Sequence, residues 1–313
     1  MTHEIQPPWT ADRNGRQNPL VDRNRPVLVR PCGDVQIGWD PETALLISPP
    51  RGCSADALAR ILRSLDGTVS IDAALRAGER AGATRTSFLT LLSHLRDAGV
   101  LTGAGQASTQ GMPAVALAGR GPLADVLAGA LPDLGVRLTQ FTTPNQQRSQ
   151  GCIARTRPLL VVLTDSALVS PVLNDFLIRE QLPHLAVRVR DGRGLVGPLV
   201  LPGATSCLRC ADLYRADRDP EWPHIAAQLT GSVPHASPAT VHAAAGYALS
   251  QVELVLAAAR RPNNTGPPGP PATLGATVEI DPLMVTMTTR DWPRHPLCAC
   301  WTGSPDGAGN SAA

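Results

Sequence analysis

Two short cysteine pairs constrain this chain more than any other feature. The first, Cys207 and Cys210, lies in "PGATSCLRCADLYRADRDPEWPHIAAQL"; the second, Cys298 and Cys300, lies far downstream in "WPRHPLCACW". Four thiolates suit a tetrahedral Zn²⁺, and a single ion bound by all four forces the late segment back onto the loop that carries the first pair. CxxC is a common ligand pair, whereas CxC needs a more extended backbone. His295, three residues before Cys298, is a reserve ligand. Two sets of buried free thiols are the alternative. Four thiolates leave no position for water, so such a site is structural rather than hydrolytic. Cys32, Cys53 and Cys152 have no partner spacing and read as ordinary residues.

The chain of 313 residues is 43% apolar and carries a net charge of +2. That is enough for a core and far from the basic excess that nucleic acid demands, so nucleic acid is an unfavoured partner. All 28 cationic Lys+Arg positions are arginine, which excludes Schiff-base chemistry and a phosphate-binding lysine. Aromatic residues, at 3%, are too few for a base-stacking platform. The polar start lacks an apolar secretory core, and runs such as "PLLVVLTD" are far below membrane-spanning length. The chain reads as cytoplasmic, without a membrane partner, and in that compartment cysteines are ligands or thiols rather than disulfides.

Along the chain, residues 1–24 read as a flexible tail. Short β-like runs follow at 27–30, 35–38 and 44–47, punctuated by Gly33-Asp34 and Asp40-Pro41. Three helical segments come next. Leu58, Ile61, Leu62 and Leu65 fall on one stripe behind a Ser54 cap, with Gly67 as the stop; Ser70 caps a second helix with Asp72 in its first turn. Phe88, Leu91, Leu92 and Leu95 make one face of a third, closed by Gly99. Three strands and three helices over 25–103 predict a winged-helix-like domain. Residues 104–112 read as a linker.

From 113 to 301, strand and helix patterns alternate, with buried-strand runs at 159–163 and 184–190. This predicts an α/β, Rossmann-like doubly wound sheet. Asp219-Pro220 and Ser237-Pro238 both read as helix starts, the second opening a long Ala-rich helix over 238–260. Residues 261–272 read as a mobile Pro/Gly loop. "TLGATVEID" and "LMVTMTTRD" alternate like an antiparallel hairpin, and 302–313 reads as a disordered tail.

"ALAGRGPLADVL" carries Gly119, Gly121 and Ala124 in the GxGxxA spacing of a dinucleotide turn. The next strand ends in Phe141-Thr142-Thr143, with no acid for a ribose, so ATP or NAD is an unfavoured cofactor. Two readings stand: a degenerate nucleotide site, or a glycine turn kept for close helix–strand packing. Asp165, in "VVLTDS", ends a strand where ligands bind in such sheets, and equally suits a cap of the following turn. His224 and His242 read as capping or packing residues.

The glycine turn, the CxxC after "LPG" and the late cysteine pair resemble the ThiF/MoeB adenylyltransferase superfamily. Over 202–301 the chain most resembles the ThiF-like leader-peptide-binding proteins associated with cyclodehydratases of thiazole/oxazole-modified peptide biosynthesis. The resemblance implies a ThiF-type domain with zinc on Cys207, Cys210, Cys298 and Cys300. It also implies an N-terminal peptide-recognition domain and a YcaO-type partner that carries out the ATP chemistry. A homodimer is a further possible assembly. The active superfamily's GxGGxG loop, ribose acid and lysine are not matched; only Asp165 is. The expected role is a scaffold that binds a leader peptide by strand addition near 44–47. Leu45 and Ile47 would share one face, and Ser87, Thr90, Leu91 and His94 would line a groove on the third helix. The alternatives are a true ATP-dependent adenylyltransferase, a winged-helix DNA-binding regulator and, more weakly, a nicotinamide oxidoreductase.

Overall fold

The computed structural model describes residues 18–104, 112–141, 146–260 and 270–301. The chain divides into two compact units, Met1–Gln110 and Gly111–Ala313.

In the first unit, β1 (Asn18–Val21) is followed by β2 (Val27–Val29), β3 (Val35–Ile37) and β4 (Leu45–Ile47), then α1 (Ala55–Ser64), α2 (Ile71–Arg80), α3 (Arg85–Asp97) and β5 (Leu101–Ala104). β2, β3 and β4 form an antiparallel sheet in that order, with β4 at one edge. Their period-two pattern decides which face is covered. Val35, Ile37 and Ile47 are buried, while Leu28 and Leu46 face outward. All three helices start on a hydroxyl cap: Ser54, Ser70 and Thr84 accept from Ala57, Ala73 and Ser87 N–H groups at 3.2 Å. Each cap stabilises its helix by about 1 kcal/mol. The predicted stripes are the core. Leu58, Leu62, Leu65, Phe88, Leu92 and Leu95 are buried, each such side chain contributing roughly 1.5–3 kcal/mol.

One boundary needs correction. Residues 18–21 belong to the domain and not to a tail, because β1 pairs antiparallel with β5, joining the two ends of the unit. Asn18 also donates its amide to Gly67 O at 3.0 Å. Residues 1–17, most of the expected linker, the loop over 261–269 and the tail 302–313 lie outside the described residues.

In the second unit the order is β6 (Ala114–Ala118), α4 (Pro122–Ala130), β7 (Arg137–Phe141), α5 (Gln146–Thr156), β8 (Leu160–Thr164), α6 (Pro171–Arg179), β9 (His184–Arg190) and β10 (Arg193–Val200). Then come α7 (Leu208–Arg218), α8 (Trp222–Leu229), α9 (Pro238–Arg260), β11 (Ala276–Asp281), β12 (Thr286–Asp291) and a 3₁₀ turn, Ala299–Trp301. One seven-stranded sheet runs β12-β11-β10-β9-β8-β6-β7. Its β7-β6-β8-β9 portion is parallel, as the alternating pattern predicts; β10, β11 and β12 are antiparallel.

Residues on successive strand positions go to opposite faces, giving two cores. Leu117, Val162, Val187 and Val189 pack with Ala244, Ala248 and Val252 of α9. Ala116, Val161, Leu163 and Ala186 pack with Leu208 and the cysteines. α9 is long and apolar enough to cross a bilayer by length and composition, yet it lays one side against this sheet. The start expected at Asp219-Pro220 falls later, at Trp222, with Asp219 as the C-cap of α7 instead.

Candidate functional site

The second cysteine-bearing core contains the first site. β10 ends in a turn held by Leu201, whose N–H donates to Thr205 Oγ1 at 3.0 Å. This turn delivers Cys207 to the N-cap position of α7, and the helix places Cys210 one turn on. After β12 the chain returns with Cys298 and Cys300. The sulfurs of Cys207 and Cys210 are 3.8 Å apart, Cys207 and Cys298 3.5 Å, and Cys210 and Cys300 3.5 Å. All four sulfurs lie within 4.8 Å of one another. A tetrahedral ion with metal–sulfur bonds of about 2.3 Å needs sulfurs roughly 3.8 Å apart, so the quartet fits a metal ion. Its hydrogen bond to Cys210, then that to Cys300, push the Cys207 thiol up, while bonds to Cys207 and then Cys300 hold the Cys210 thiol down.

His295 is outside this quartet. It is buried, its Nδ1 accepts from Leu297 N at 3.1 Å, and its Nε2 meets Asp217 Oδ2 at 2.9 Å. Because Nδ1 accepts, Nε2 carries the proton and donates to Asp217. The ring also stands edge-on to Tyr214 at 4.6 Å, and the Tyr214 hydroxyl donates to Arg294 O at 3.2 Å. His295 therefore fastens the CxC turn to α7 rather than serving as a ligand. Sequence reasoning missed Tyr214 and Asp217, but a signal existed: Cys210, Tyr214 and Asp217 follow the i, i+4, i+7 spacing of one helix face.

The glycine turn forms the second site. Gly119 has φ +152° and Gly121 φ +149°. A Cβ at Gly119 would stand 2.1 Å from Thr164 Oγ1, and one at Gly121 2.8 Å from Asp165 Cγ. Only glycine permits β6 and α4 to approach the end of β8 this closely. Asp165 is buried and has left-handed backbone at φ +63°. Its Oδ1 accepts from Leu123 N at 3.0 Å and its Oδ2 from Ala124 N at 2.8 Å. Those are the N–H groups at the start of α4 that would cradle a phosphate. Asp165 thus caps a helix remote in sequence, not the turn that follows it. Beside it, a crevice of about 480 Å³ opens at the ends of β8 and β9, lined by Leu123, Val126, Asp165, Val189, His235 and His242, among others. His235 was not anticipated, and His242 lines this crevice rather than packing in a core.

The expected peptide residues are divided. Ile47 and Leu91 are buried in the core of the first unit, and Leu45 packs against that core, so these side chains do not line an open groove. Ser87 is half-buried, bonding back to Thr84 O at 2.9 Å, and His94 is exposed.

No family model matches the chain, and no curated protein matches it in sequence. Solved structures do match in fold. The heterocyclase TruD aligns with a TM-score of 0.60 at 16% identity, covering 91% of this chain and 42% of TruD. A heterocyclase in complex with substrate and cofactor gives 0.60 at 15% identity, over 89% of this chain and 38% of that one. E. coli MccB with MccA-N7isoASN gives 0.57 at 13%, over 90% of this chain and 99% of MccB. The chain spans about two fifths of the heterocyclases but nearly the whole of MccB. At these identities the likeness is one of architecture: this chain has the fold of MccB and of about two fifths of these heterocyclases.

Proposed function

We propose that this chain is a leader-peptide-binding scaffold in the cytoplasmic maturation of ribosomally made thiazole/oxazole-modified peptides. It presents the precursor to a YcaO-type cyclodehydratase and does not itself activate the peptide with ATP. The observation that carries this reading is the Asp165 carboxylate on the Leu123 and Ala124 N–H groups, where a nucleotide phosphate would otherwise sit. A second anion at that place meets a like charge instead of free donors, so the nucleotide site is degenerate. The fold supplies the rest of the direction, because its neighbours include a heterocyclase with substrate and MccB with MccA.

In this reading the first unit is the winged-helix-like recognition domain. A leader adds as a strand along the edge of β4, held by main-chain hydrogen bonds that do not require Leu45 or Ile47 to turn outward. Cys207, Cys210, Cys298 and Cys300 hold one Zn²⁺. With four thiolates its shell is full, and the ion ties the chain after β12 to α7 without taking part in catalysis.

A second reading, an ATP-dependent adenylyltransferase acting on a peptide, is favoured by one fact: the chain matches E. coli MccB with ATP over 99% of that protein's length. Pyrophosphate exchange separates the two. The scaffold reading expects no ATP-dependent exchange with any candidate precursor, together with leader binding measurable by calorimetry. Exchange above background would replace it with the adenylating reading.

A further inference from the structure

β9 sends Val187 and Val189 to the core under α9, and therefore Arg188 and Arg190 to the opposite face. Arg188 is only 7% exposed. Neighbouring charges compensate it only in part: Asp212 attracts it, but that carboxylate is bonded to another arginine. Arg215 of α7 takes Asp212 at 2.7 Å, and Glu279 is taken by Arg190 at 2.6 Å and Arg193 at 2.7 Å. Arg188 makes no hydrogen bond or ion pair among the described residues, and it feels two like charges, Arg215 and Arg190, against the single Asp212.

The surroundings are built. The Arg215 guanidinium stands 5.3 Å from the Trp222 ring and 5.2 Å from the Trp292 ring, and Arg290 stands 4.5 Å from Trp292. The indole Nε1 of Trp222 is buried with no partner. On the same sheet face, Arg190 lines a cleft of about 390 Å³ with Asp191, Arg193 and Glu279. Burial, followed by repulsion from Arg215, lowers the Arg188 pKa to about 10, so the group is still a cation near neutrality. A buried indole N–H without an acceptor is costly, and the Arg188 nitrogens, unlike that indole, are not wholly shut off from solvent, as a site open to a solute requires.

We propose that Arg188, with Arg215 near it and Trp222 packed against Arg215, forms a binding site for a small oxyanion, a carboxylate or a phosphate, on the α7 face of the sheet. The planar guanidinium fork matches both groups, and the buried indole N–H is a further donor for one of their oxygens. The site is separate from the glycine turn and from the cysteine quartet, and it does not depend on the leader-peptide reading.

The test is thermal unfolding of the metal-loaded full chain. Sodium phosphate or a blocked tri-aspartate peptide is titrated in, with sodium chloride holding ionic strength constant. The wild type should show a saturable rise in Tm with at least one probe; phosphate alone marks a phosphoryl ligand, and tri-aspartate marks a carboxylate. Arg188→Met, which removes the unpaired charge and keeps an apolar stem, should have a Tm equal to or above wild type without anion and should lose the rise. Trp222→Phe should fold and weaken the anion response several-fold. The proposal is overturned if neither probe raises the wild-type Tm, if Arg188→Met retains the rise, or if Arg188→Met unfolds or melts lower without anion. That last outcome would make Arg188 a structural residue.

Discussion

The carboxylate of Asp165 reaches the backbone N–H of Ala124 at 2.8 Å although 41 residues separate them in the chain. Together with the bond to Leu123, this places a negative charge on the positive end of the α4 dipole, an arrangement more favourable than a neutral cap. Asp165→Asn should lower stability by about 1–3 kcal/mol, because one of two charge-assisted bonds is lost and a buried donor is left without an acceptor. Urea unfolding measures it, and a midpoint equal to wild type would show that the carboxylate holds nothing. Calorimetry of the wild type should detect no tight ATP binding; micromolar affinity would revive the adenylating reading.

The metal prediction is stoichiometric. Purified protein should carry about one Zn²⁺ per chain by elemental analysis, as a single four-thiolate site implies. Cys207→Ser and Cys298→Ser should lose the metal and melt lower; full retention in either would exclude that residue as a ligand. Asp217→Asn tests the bond that orients His295. It should keep the stoichiometry while weakening zinc about 10-fold in competition with a chelator, as outer partners of metal sites do.

His184 supplies a pH signature. It is fully buried, and that burial lowers its pKa from 6.5 to about 4. Nδ1 lies 2.9 Å from Leu182 O and Nε2 is buried without a partner. Above pH 6.5 the residue is neutral whether folded or unfolded, and stability is unaffected. Between pH 6.5 and about 4 only the unfolded chain takes up the proton, so stability falls with pH, by at most roughly 3 kcal/mol from this group. His184→Gln should flatten the slope in that window. An unchanged slope would assign the acid sensitivity to other groups.

For the first unit, hydrogen exchange with and without a candidate leader should show protection gained at 43–48. Leu46, 53% exposed on the outer face, should tolerate Asp, whereas Ile47→Asp should unfold the unit. No change at 43–48 with a leader processed in the same pathway would end the strand-addition reading.

Local patterns made much of this architecture legible. The α1 and α3 stripes and the three small strands are visible because each announces its buried face within a few residues. The cysteine quartet is visible because thiolate pairs have few other uses at such spacing. What stayed hidden depends on distant partners. β1 is only "NPLV", and its mate β5 lies at the other end of the unit. β10 contains Gly194, Gly197 and Pro198, which read as breakers; the sheet absorbs them through a register shift between Val196 and Leu199. α5, "QQRSQGCIART", has no apolar stripe. Leu45 and Ile47 alternate with the outward Leu46, but period two does not say which side of a sheet a core will take, and Leu91 of α3 lies in the core with the rest of its stripe.

The cysteine quartet also sets an order of events during synthesis. Cys207 and Cys210 leave the ribosome before α9, β11 and β12 exist, whereas Cys298 and Cys300 follow all seven strands of the sheet. Until then the nascent chain holds only two of the four thiols that the proposed metal site would use. The quartet can therefore assemble only after all seven strands of the sheet have been made. A chain that ends before Cys298 would lack the second pair and could not assemble the quartet against α7.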